Sequence, residues 1–126
     1  MVLIGDPLVP YEDFFFISSI DDIKNTNPNC TLIFDYDESL LTYCFKNDLD
    51  CAVVIKNIKQ SIYCNALKAK YIICDKELAV KIEKIAENYM FDSKVLSIIE
   101  DSDEIEQIAL LQIDGIIYSK ILKKIQ

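Results

Sequence analysis

The 126-residue chain has no histidine, no arginine and no tryptophan, and only two glycines. Each absence removes a class of chemistry. Without His there is no imidazole base near neutral pH and no imidazole metal ligand. Without Arg there is no planar fork to clamp a phosphate through two bonds. Gly5 and Gly115 stand far apart, so neither a G-x-G-x-x-G turn nor a Walker loop is present. The apolar runs, such as residues 14–17 and 52–55, fall far short of the roughly 20 residues of a membrane-spanning helix.

Basic charge is scarce too. All 13 cations are lysines, against 21 carboxylates, for a net charge of −8. Such a chain repels nucleic-acid phosphates and anionic membranes, so neither is expected as a partner. Lys120, Lys123 and Lys124 form the longest basic cluster, and they suit a solvated helix end. Five cysteines, at 30, 44, 51, 64 and 74, form no C-x-x-C pair. Several lie in apolar segments, where a free thiol behaves as a small hydrophobe. Reduced thiols, with no signal-peptide pattern at the start, predict a cytoplasmic protein.

What is present is apolar and periodic. Hydrophobic residues make up 52% of the chain, enough for a sizeable core in one domain over 1–126. β-Branched and aromatic runs occupy 14–18, 31–36, 51–56, 70–74, 94–99 and 115–118, and a further short strand fits 2–4. From the second run on, they start about 20 residues apart, the period of one strand–helix unit. Their near-continuous apolar character marks strands covered on both faces. Between them lie amphipathic stretches with start signals. Asn57 with Gln60 opens one helix, Asp75 the next, Asp37 or Glu38 an earlier one and Ser102 a later one. Ser19 precedes a short turn, and 119–126 suggest a terminal helix. The pattern predicts a single three-layer α/β/α domain with a mostly parallel sheet of about six strands, flavodoxin-like or Rossmann-like, with 1–13 as an N-terminal arm.

In such sheets ligands bind beyond the carboxyl ends of the strands. The residues leaving those ends include Asp35, Asp37, Lys56, Asp75, Glu100, Asp101 and Asp103. Carboxylates here have two uses. They can cap the following helix, or they can converge on Mg²⁺, which prefers oxygen ligands.

Residues 31–41, TLIFDYDESLL, resemble the first motif of the haloacid dehalogenase superfamily: four apolar residues, then D-x-D-x-T/S and a hydrophobic residue. The resemblance implies Asp35 as nucleophile, Asp37 as general acid/base, Ser39 at the Thr/Ser position and Mg²⁺ between carboxylate and phosphate. Residues 97–118 are similar to the family's fourth motif, which implies Glu100, Asp101 and Asp103 as metal ligands. The helix–turn–strand rhythm of 65–74 and 108–118 also resembles segments of (β/α)-barrel aldolases. As a whole, the chain resembles a group of conserved, uncharacterised proteins of Campylobacter, Helicobacter and relatives. That likeness rests on 65–74, 86–94 and 105–118, and it implies fold and compartment but no activity.

Two functions follow from this reading. The first is a non-enzymatic module that binds a protein or a small ligand without a cofactor, because no complete catalytic set is present. The alternative is a Mg²⁺-dependent phosphohydrolase with Asp35 and Asp37 as catalytic residues and Asp35, Asp37 and Asp101 around the metal. The Phe14–Phe15–Phe16 run, if it forms an edge strand, offers a homodimer contact.

Overall fold

A computed structural model describes residues 1–123. Seven strands form one sheet: β1 (Val2–Ile4), β2 (Phe14–Phe16), β3 (Thr31–Asp35), β4 (Cys51–Val54), β5 (Tyr71–Cys74), β6 (Lys94–Ile99) and β7 (Gly115–Tyr118). Every neighbouring pair is parallel, so the chain forms the α/β domain that its alternating units predict. The strand over 2–4 is present, which makes seven rather than six. The helices are α1 (Glu38–Lys46), α2 (Ile58–Ala66), α3 (Lys76–Tyr89), α4 (Ile105–Leu110) and α5 (Ser119–Lys123), and a 3₁₀ turn spans Ile20–Asn25. The terminal helix is described to Lys123. The expected continuation to 126, with Lys124 of the basic cluster, lies outside the described residues.

Strand order is β1-β7-β6-β5-β4-β3-β2. From β2 to β7 each strand lies beside the previous one, and the sheet curls into a half-barrel. Consecutive right-handed crossovers in one direction keep their helices on one side. Core side chains bear this out. Leu41 and Cys44 of α1, Cys64 of α2, Ile82 and Ala86 of α3 and Ile108 of α4 all pack with Leu32, Val53, Ile72, Val95 and Ile116. The alternate strand residues Ile33, Ala52, Ile73, Leu96 and Ile117 face the other way and pack with Ile121 of α5.

That second face is concave. On a flat sheet β2 and β5, three strands apart, would lie roughly 14 Å from each other. The half-barrel curl brings them nearer, and the rings of Phe14 and Tyr71 on this face meet with centroids 6.1 Å apart. Residues 5–13 join β1 at one sheet edge to β2 at the other and so cross the concave side. With α5 this strap supplies the third layer. It is tied at both ends. Near β7, Tyr118 donates its hydroxyl to Asp6 Oδ2 (2.9 Å). At the opposite end Glu12 accepts from Thr31 Oγ1 (2.7 Å), Lys70 Nζ (2.6 Å) and the Tyr71 hydroxyl (2.6 Å).

Candidate functional site

The C-terminal edge of the sheet carries most of the acidic residues singled out in the sequence. Asp35 ends β3 and is exposed. Asp37 is the N-cap of α1 and accepts from the Leu40 amide (3.0 Å). The same use recurs at the next two junctions, where Asn57 accepts from Gln60 N (2.9 Å) and Asp75 from Leu78 N (2.9 Å). After β6, Asp101 rather than Ser102 is the cap. Asp101 accepts from the Asp103 amide (2.8 Å), and Glu104 accepts from the Glu100 and Asp101 amides (2.8 and 3.0 Å). Each carboxylate satisfies amides that a helix start leaves without partners.

Asp35 and Asp37 both line a small cavity of about 200 Å³, with Phe16, Ser18 and Tyr36. Ser39 lines a neighbouring cavity with Ser19 and Asp21. Asp101 belongs elsewhere: β4 and β5 lie between its strand and β3. Glu100 instead accepts from the Ser119 hydroxyl (2.7 Å). Among the described residues, no three His, Cys, Asp or Glu side chains are gathered closely enough to hold a metal ion.

A larger groove, about 560 Å³, opens at the other, N-terminal edge. It lies between α3 and the turn from α4 to β7. Val80, Met90, Phe91 and Leu111 give it apolar walls, and Glu83, Glu87, Lys84, Lys94 and Asp114 give it charge. Met90 is 83% exposed. Its backbone (φ 54°) is left-handed as the C-cap of α3, which carries the side chain clear of the helix.

Inside this groove Glu83 Oε2 accepts the Asp114 amide (3.0 Å), and both residues line the wall. Burial and then the Asp114 charge push Glu83 up to about 7, against the opposing effects of the Asp114 amide bond and, more weakly, of Lys94. Asp114 also binds two strands. Its Oδ2 accepts from the Val95 amide (2.8 Å) and its carbonyl from the Val2 amide (3.0 Å). Neither Glu83 nor Asp114 is apparent as a site residue from sequence. Glu83 reads as one more polar residue on an amphipathic helix, and the only signal at Asp114 is its place before Gly115.

The cysteines have no such setting. All five are free thiols, and Cys44, Cys51, Cys64 and Cys74 are buried. Burial pushes the Cys64 and Cys74 thiols up to about 12, so they stay protonated. Glu12 is the contrasting case. Burial works to raise it, but its bonds from Lys70, Tyr71 and Thr31 outweigh that and hold it below the usual carboxylate range.

No helix among the described residues is long and apolar enough to cross a membrane. No protein-family model and no curated protein matches the chain.

Proposed function

We propose that this chain is a non-enzymatic, cytosolic bacterial binding module that works through the groove between α3 and the α4–β7 turn. The observation that carries this reading is the groove itself. Its volume of about 560 Å³ lies in the range of ligand sites, and apolar walls stand beside a few converging polar groups. The exposed Met90 adds an adaptable apolar contact. A segment of a partner protein with an apolar side chain for Met90, Phe91 and Leu111 fits that lining. The opposite edge favours the same reading, because Asp37, Asp75 and Asp101 each give one carboxylate oxygen to a helix amide.

The haloacid dehalogenase alternative keeps one observation, the shared cavity of Asp35 and Asp37. A thermal melt separates the two readings. Wild type and Asp35→Asn are melted with and without Mg²⁺ and beryllofluoride. A ligand at 100 times its dissociation constant stabilises by roughly 2.7 kcal/mol. The expected result is no such shift in either protein. Stabilisation of wild type that vanishes in the variant would replace the module with the phosphohydrolase. The groove is tested by affinity capture from the native cell extract. Partners held by wild type are expected to be lost with Met90→Lys and kept with Leu8→Lys, a control on the strap, where Leu8 is 90% exposed.

A further inference from the structure

β2 ends the sheet, and no strand lies beyond it. Its inner side is laddered to β3. The Asp13 carbonyl accepts the Thr31 amide, and the Ile17 amide donates to the Ile33 carbonyl (both 2.9 Å). Backbone groups alternate along a strand, so Phe15 also faces β3, while the N–H and C=O of Phe14 and Phe16 point away from the sheet. Lysine and proline, which usually blunt such an edge, are missing from Phe14–Phe16, and all three rings are half-buried. β1 ends the other side of the sheet with less to offer. Its Val2 amide is bonded to the Asp114 carbonyl, which leaves only Leu3 facing outward within Val2–Ile4.

We propose that the β2 edge is a dimer interface, in which β2 pairs antiparallel with β2 of a second copy about a two-fold axis through Phe15. The open backbone groups are symmetric about that residue. With Phe14 opposite Phe16 of the second copy, every outward N–H of the two residues meets a carbonyl. The side chains fit the same register. Phe14 and Phe16 pack on the concave face and Phe15 on the helix side. A two-fold axis perpendicular to the sheet keeps each face with itself. Phe14 then lies beside Phe16 of the second copy, and Phe15 faces Phe15 across the axis. Aromatic cross-strand pairs of this kind stabilise sheets, and a second copy supplies them at all three positions of the strand. Tyr11, 42% exposed and with its ring 6.4 Å from that of Phe14, extends the apolar rim. No like charges meet in this register, because Asp13 falls opposite Ile17 and Glu12 opposite Ser18. The net charge of −8 opposes association only at long range, where salt screens it. The interface does not depend on the groove, which lies beside β6 and β7.

Sedimentation equilibrium and amide hydrogen exchange of the full chain test it together, at physiological ionic strength. Between low micromolar and millimolar concentration the mass is expected to double. Over the same range, protection of the Phe14 and Phe16 amides should rise roughly tenfold, while that of the Phe15 and Ile17 amides, already bonded to β3, stays level. Phe15→Glu and Phe15→Lys each put like charges at the axis. Each variant should be a monomer alone, and an equimolar mixture of the two should restore the dimer. Where either variant fails to melt cooperatively, the exchange pattern of wild type decides by itself. A wild-type monomer at every concentration would overturn the interface. So would a dimer that leaves the Phe14 and Phe16 amides unprotected, a folded variant that dimerises alone, or a mixture of folded variants that stays monomeric.

Discussion

At the scale of single residues, charge and burial trade against each other in opposite senses at two glutamates. Glu83 is raised in the folded state, so the folded protein holds its proton more tightly than the unfolded chain. Its contribution is present in full below about pH 4.5, the unfolded value, and is lost as pH rises through about 7. Glu83→Gln should therefore raise Tm at pH 8 relative to wild type and flatten Tm between pH 5 and 8, as read by calorimetry. Glu12 is lowered, so its contribution is present above its unfolded value and is lost as pH falls through its folded one. Three donors to one carboxylate make Glu12→Ala costly, by about 2 kcal/mol at pH 7 in urea titration. Ser97 presents a third case. Its hydroxyl is buried without a hydrogen-bond partner on the helix-facing side of β6. Ser97→Ala removes a polar group that water cannot reach, and should stabilise by about 1 kcal/mol.

At the scale of elements, helix ends decide how the chain divides. Asp37, Asn57 and Asp75 start helices where sequence places them, because a capping side chain and the amide that it serves are only three residues apart. Short-range chemistry of that kind can be read from a linear string. So can the strands, whose continuous apolar runs reflect cover on both faces. The cap after β6 is harder, since Ser102 and Asp101 are both competent and only the geometry selects Asp101. The Glu83–Asp114 bond and the Glu12 cluster are beyond such reading. Glu83 meets Asp114 across 31 positions and Glu12 meets Tyr71 across 59, and both contacts exist only because of strand order. Repeating strand–helix units fit several strand orders, so these neighbours could not be derived from local pattern. The other end of α3 gives a prediction at this scale. Met90 holds a left-handed conformation that costs most L-residues about 1 kcal/mol, so Met90→Gly should stabilise the fold while weakening any partner bound in the groove.

At the scale of the whole molecule, the acidic balance and the two glutamates act together. A net charge of −8 strains the folded state through self-repulsion as pH rises, in the same direction as Glu83. Below about pH 4.5 Glu12 works against it. Stability should therefore peak at mildly acidic pH, about 5 to 6.5, with Tm declining toward pH 8.5. A profile rising steadily to pH 8.5 would contradict this.

The pairing of β1 with β7 has a consequence for how the molecule is made. Gly115 lies so close to β1 that a β-carbon there would collide with the Val2 carbonyl oxygen, so the junction has no room for a side chain at this position. Of the strands in this sheet, β1 is thus completed by the one furthest from it in sequence. At typical synthesis rates the β1 segment waits on the order of ten seconds for its neighbour. Meanwhile β2 to β6 can pair in the order in which they emerge, each beside the one before it. The half-barrel can grow during translation, but β1 and the strap behind it can be locked only once β7 has been made.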